Sequence, residues 1–151
     1  MRPTESPLPE NIRDFSQTQR ERLAFLELKA FFCGELKRAD IENRFGIAPA
    51  AASRDLHAYR ELNPGQLTYD PAQRRYVPSE GFKPLFPFST ERILSWLLRG
   101  FGDGLDTQRN PIPCDGVAQL TRPNLSVLSS ITRAIHAKAP IRISYLSLSS
   151  G

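Results

Sequence analysis

Ser53, Arg54 and His57 fall at i, i+1 and i+4 of one stretch, with Ala48, Ala50 and Ala51 just ahead of them. On a helix that spacing puts small residues at one end and polar tips beside them. Small residues let a backbone approach a surface closely. A hydroxyl, a guanidinium and an imidazole then offer hydrogen bonds, and an alanine methyl can meet a thymine methyl. Arg54 suits either a guanine edge or a phosphate, since its fork matches both. Arg60 lies further along and suits a phosphate. Arg74 and Arg75 follow on a short strand, where alternation sends one of two neighbours to the opposite face. The candidate duplex contacts are therefore Ala50, Ser53, Arg54, His57, Arg60, Arg74 and Arg75. Asp55 sits among them as a brace, because a carboxylate facing phosphates would repel them. The plainer alternative is a helical hairpin with a solvated charged face.

Other chemistries find few residues to work with. The two histidines, His57 and His136, lie far apart, as do the two cysteines, Cys33 and Cys114. Zinc or disulfide spacing is absent, and the default compartment is a reducing cytoplasm. Cys33 closes an apolar stretch and reads as a core thiol. Gly100, Gly102 and Gly104 make a G-x-G-x-G run without the preceding strand and following helix that a phosphate loop needs. No metal, flavin or nicotinamide motif is present, and the expectation is a protein without cofactor or enzymatic activity.

The elements that must position the candidate residues can be read in order. Residues 1–14, with Pro3, Pro7 and Pro9, read as a disordered leader. Ser16 and Gln19 form a capping box opening a helix through Leu23, Phe25, Leu26, Leu28, Ala30, Phe31 and Phe32. That helix is apolar around much of its circumference, the mark of a buried spine. Gly34 ends it, and Glu35–Lys37 suit a short strand. Residues 38–45 form a two-turn helix stopped by Gly46. Pro49 then opens a helix to Leu62, whose inward stripe is Ala52, Leu56 and Tyr59. Gln66–Tyr69 and Arg74–Pro78 flank a Pro-containing turn as a β-hairpin. Helix, short helix, tight turn, helix and hairpin is the order of a winged helix-turn-helix.

Beyond it, Phe82, Phe86 and Phe88 sit among prolines as an ordered connector with docking aromatics. Ser89 or Thr90 caps a helix to about Gly100. Residues 100–123 read as loop, and Asn124 caps a helix to about Lys138 with Leu128, Ile131 and Ile135 on one side. Residues 141–148 read as a strand with Ile141, Ile143 and Tyr145 on one face. The expected organisation is a leader at 1–14, a winged helix-turn-helix at 15–78 and a helical connector or dimerisation region at 79–139. The first strand of a β-rich domain would occupy 140–151. The fold class is mainly α with a small β component.

Charge bounds this picture. The 151 residues carry 20 Lys+Arg and 16 Asp+Glu, a net +4. Residues 1–62 hold ten of each sign and 63–80 two of each, so the whole excess lies in 81–151. Net charge therefore does not locate a nucleic-acid surface, and placement must. No apolar run reaches the length a membrane span needs, about 18 residues.

Arg44-Phe45-Gly46-Ile47, Ala52-Ser53-Arg54-Asp55-Leu56, Tyr69-Asp70 and Arg75-Tyr76-Val77-Pro78 resemble the N-terminal domain of bacterial WYL-domain transcriptional regulators. Ile141-Arg142-Ile143-Ser144-Tyr145 to Ser149-Ser150-Gly151 is similar to the opening strand of the WYL domain itself. Within that family the likeness is to the BrxR/CapW type of repressor found beside phage-defence loci. The resemblance implies a homodimer that binds an inverted-repeat operator in double-stranded DNA and represses its neighbouring operon. It implies a nucleotide or nucleic-acid effector acting through the WYL domain, of which this sequence holds only the start. It also implies bacterial cytoplasm, at the nucleoid, with no membrane partner. Carried over, Ser53, Arg54 and His57 become recognition-helix contacts, and Arg74 and Arg75 become wing contacts. The alternative from another class is a protein–protein interaction module on a winged-helix scaffold.

Overall fold

The computed structural model describes residues 10–99 and 123–146. Helix α1 (Glu10–Arg13) precedes α2 (Gln17–Leu28), which runs into a π-helical turn at Lys29–Cys33. Helices α3 (Arg38–Phe45) and α4 (Pro49–Leu62) come next, then the antiparallel pair β1 (Leu67–Asp70) and β2 (Arg75–Pro78). Helices α5 (Thr90–Arg99) and α6 (Leu125–Ala137) complete the described elements. This is a mainly α architecture with one small two-stranded sheet, the order of a winged helix-turn-helix.

The spine expected from the sequence is α2 with its π-turn, and it serves two cores. On one side Leu23, Leu26 and Ala30 pack with Leu36, Ile41, Ala52, Leu56, Tyr59 and Leu67. On another, Phe25, Leu28, Phe31 and Phe32 pack with Ile93 and Leu97 of α5, with Leu125 and Leu128 of α6 against them. An apolar helix surrounded in this way must be covered on several faces, which explains why helical neighbours and a hairpin gather around it. Ser16 caps α2 as expected, its Oγ accepting the Gln19 amide at 3.2 Å, but the Gln19 side chain turns to Asp55 and does not reach back to close the capping box.

Four expectations change. Residues 10–13 are not leader: they form α1, and Ile12 is fully buried in the first core. A single apolar side chain in a polar, proline-punctuated segment is enough to anchor it. Residues 1–9 lie outside the described residues, as do 100–122 with the expected loop. The α2 helix does reach Gly34, but its last turn widens to π geometry and closes on Gly34 at φ 77°. The stretch Glu35–Lys37 contributes one bridge, Leu36 to Tyr76, with amide-to-carbonyl distances of 2.9 and 2.8 Å. Residues 141–146 join no ladder among the described residues, and Ile143, Tyr145 and Leu146 are exposed.

Helix α6 also seats itself differently from its apolar pattern. Its buried residues are Ser129 and Thr132, whereas Ile131 and Ile135 are 37% and 42% exposed and Val127 more so. Burying hydroxyls is tolerable because each is satisfied locally: Ser129 Oγ donates to Ser126 O and Thr132 Oγ1 to Ser129 O. The connector at 79–88 is no break in packing, since Phe86 belongs to the same core as Leu56. Phe82 stacks on Phe31, and Phe88 meets Phe32 edge-on.

Candidate nucleic-acid interface

The candidate face is built on α4. Gly46, at φ 60°, lets the chain turn between α3 and α4 in a left-handed conformation that other residues adopt only with strain. Pro49 occupies the first turn, where its missing amide costs nothing. From there Ala52, Asp55, Leu56 and Tyr59 point inward and are buried. Ala50, Ser53, Arg54, His57 and Arg60 are exposed on the other side. The structure thus brings five of the seven candidate residues onto one open helix face. Among the described residues Arg54 and Arg60 form no ion pair. His57 Nε2 lies 3.3 Å from Glu61 Oε1, with both side chains largely exposed.

The face is held rigidly from beneath. Asp55 Oδ2 accepts from Arg22 Nε at 2.5 Å, while Oδ1 accepts from Arg22 and Gln19 at 3.3 Å each. This buried fork pins α4 to α2 and fulfils the role of brace expected of Asp55. At the far end of α4 the Tyr59 hydroxyl donates to Glu27 Oε2 at 2.5 Å. Glu27 also accepts the Leu85 and Phe86 amides at 2.7 and 2.8 Å. Burial pushes the Glu27 carboxyl up to about 7, although those three donors pull the other way. Asn63 Nδ2 links the Tyr59 hydroxyl to Lys83 O. Helix α4, the spine and the connector therefore meet at one buried carboxylate.

The wing presents one arginine and retains the other. Asp70 Oδ1 accepts the Ala72 and Gln73 amides, fixing the turn. Arg74 comes next in the left-handed region at φ 49° and is exposed, with no ion pair among the described residues. Arg75 is half-buried and paired with Glu35, and its Nε lies 3.5 Å from Asp70. The Glu35 carboxylate raises the Arg75 guanidinium above its ordinary value. Arg74 is thus a turn residue and not, as expected, part of β2, so its outward placement comes from the left-handed turn and not from strand alternation.

Two residues escape a reading of the sequence. Arg38, at the start of α3, reaches 3.5 Å from Ser53 Oγ and pairs with Glu42, so it borders the α4 face. Its place fifteen positions from Ser53 comes only from the α3–α4 crossing. Tyr69, exposed on β1, stands against Tyr76 on the wing surface. Among the described residues no cluster of ligating side chains could hold a metal ion, and no helix is long and apolar enough to cross a membrane.

Residues 18–99 match the family model described as the BrxR transcriptional regulator winged helix-turn-helix domain. That interval runs from α2 to the end of α5, and so takes in both the α4 face and the wing. The chain is 34% identical over 139 residues to the DNA-binding transcriptional repressor CapW of Pseudomonas aeruginosa, covering 86% of this chain and 46% of that protein. It is 32% identical over 140 residues to the CapW repressor of Escherichia coli, covering 87% and 46%. The CapW repressor of Stenotrophomonas maltophilia is 28% identical over 138 residues, covering 86% and 46%. The chain spans about half the length of the curated relatives it matches. With the fold and the helix order in agreement, and the family model spanning more than half of its length, this chain belongs to the family of BrxR-type winged helix-turn-helix transcriptional regulators.

Proposed function

We propose that the chain is the DNA-reading part of a sequence-specific transcriptional repressor that binds an inverted-repeat operator as a homodimer. The observation that carries this reading is the division of α4. Ala52, Asp55, Leu56 and Tyr59 lock one side, and Ala50, Ser53, Arg54, His57 and Arg60 are left exposed on the other. A helix held from behind by a buried ion pair and open in front can enter a major groove without reorganising. Ser53, Arg54 and His57 read base edges, Ala50 allows close approach, and Arg60 and Arg74 grip phosphates. Arg75 takes part once it leaves Glu35. Val127, Ile131 and Ile135 form an exposed apolar stripe on α6 that supports self-association. The neighbouring operon would be one of phage defence, and repression would be occlusion of its promoter in the bacterial cytoplasm. An effector, nucleotide or nucleic acid, would act through a WYL domain opening near residue 140.

The test is a gel-shift titration of the chain on duplex DNA across ionic strength. Each neutralised phosphate releases a counterion, so affinity should fall steeply and log-linearly with salt. A flat response, or passage through a column of immobilised random-sequence duplex at low salt, would reject DNA as the partner.

A further inference from the structure

Glu35 lies between the π-turn and α3, where the wing and α6 reach the same side chain. Its two carboxylate oxygens serve different elements. Oε2 accepts from the Arg75 guanidinium of β2, and Oε1 lies 3.0 Å from His136 Nε2 of α6. These partners are 40 and 101 positions away in the chain. Hydrogen bonds from His136 and Arg75 hold the carboxyl down at about 2. It is therefore ionised and can only accept, so His136 Nε2 carries the proton of that contact. One turn earlier on α6, Arg133 Nε donates to Phe31 O at 2.6 Å and its guanidinium covers the Phe31 ring. This satisfies a carbonyl that the end of the spine leaves open. Gly34 is compressed beneath the same arginine: a Cβ there would stand 3.2 Å from Arg133 Cγ, on a backbone already at φ 77°. His136 and Arg133 thus seat α6 together, and of the two His136 reaches the group that holds the wing.

We propose that Glu35 couples the seating of α6 to the wing's grip on DNA phosphate. With His136 in place the carboxylate is shared, and Arg75 exchanges it for a phosphate more readily. With α6 lifted, the carboxylate holds Arg75 alone, and Arg75 leaves it for a phosphate less readily. The coupling makes α6 a positioning element for a wing contact it does not touch. It rests on DNA being the partner, and it supplies a route by which anything displacing α6 would loosen the wing. Two donors sharing one anion are coupled in both directions, because linkage is reciprocal.

Reciprocity gives a test that does not need DNA. In the full chain, Arg75→Ala leaves the whole carboxylate to His136. Amide hydrogen exchange across residues 125–137 should then slow by about threefold to tenfold, toward the lower end of the coupling seen between side chains in contact. In an E35Q background the same Arg75→Ala change should leave that exchange unaltered. Unchanged exchange in R75A, or equal slowing with and without Glu35, overturns the coupling. A second arm adds a saturating random-sequence duplex at low salt. Duplex drawing Arg75 away should slow exchange in α6 of the wild-type chain, and less so in E35Q. Binding with the same α6 response in both chains overturns the wing half of the proposal. Failure to bind the duplex while R75A still slows exchange overturns the DNA reading instead.

Discussion

Arg54 stands on the open face of α4, and its consequences belong to single-residue chemistry. Truncating it to alanine should weaken operator binding by about 1–3 kcal/mol, the worth of one well-placed bidentate contact. Thermal stability should stay the same, because the side chain is exposed and forms no ion pair among the described residues. Gel-shift affinity and a melting curve on the same sample check both halves. At this scale much is legible in the sequence. Helical spacing separates Ala52, Leu56 and Tyr59 from Ser53, Arg54 and His57, and the structure keeps them apart in the same way. The fate of Arg75 is not legible. Its partner Glu35 is 40 residues upstream, and only folding of the wing against the spine brings them together. Glu27 is silent for the same reason. Tyr59 and two connector amides, all distant from it in sequence, converge on its carboxylate only in the fold.

Helix α4 holds its angle because Asp55 ties it to α2, and that tie sets the expectation for the element. Asp55→Ala removes a buried carboxylate and leaves Arg22 with little solvent to turn to. The loss should be about 3 kcal/mol in denaturant unfolding, since breaking one partner of a buried pair strands the other. DNA binding should fall with it even where the chain remains folded. The caps, the turn at Gly46 and the hairpin are readable because local residues dictate them. Register inside an apolar helix is different. The run from Leu23 to Phe32 predicts a buried helix but not the π-turn in which it ends, because apolar residues on every side leave the hydrogen-bond spacing unspecified. Helix α6 shows the complementary failure. Its isoleucines form the obvious stripe, yet they stay outside, while Leu125 and Leu128 pack on the spine's core and Ser129 and Thr132 are the buried residues. Small hydroxyls that bond their own helix allow close approach, and close approach lets Arg133 and His136 reach across. The stripe left outside has its own prediction. Ile131→Asp should shift the solution mass by light scattering toward the monomer and leave the melting temperature in place.

At the scale of the whole molecule, two carboxylates give stability opposite dependences on pH. Glu27 is pushed from an ordinary 4.5 up to about 7 by burial. Between those values the folded chain holds a proton that the unfolded chain has released, so its contribution is full below about 4.5 and declines as pH rises toward 7. The span is worth up to about 3 kcal/mol at about 1.36 kcal/mol per unit. Glu35 works in the other direction: held down to about 2, it contributes above 4.5 and loses that contribution as pH falls toward 2. Urea unfolding from about pH 5 to about pH 7.5 should show falling stability in the wild type, and Glu27→Gln should flatten that slope. A slope unchanged by the substitution would mean that another group sets it. The connector that closes over Glu27 has a practical consequence for anyone recombining regulators of this kind. A cut at residue 78, the end of the wing, would strip Phe86 from the core and the Leu85 and Phe86 amides from the carboxylate. A transplantable DNA-reading unit must instead keep the chain through Ala137, carrying its rear helices as part of the cassette.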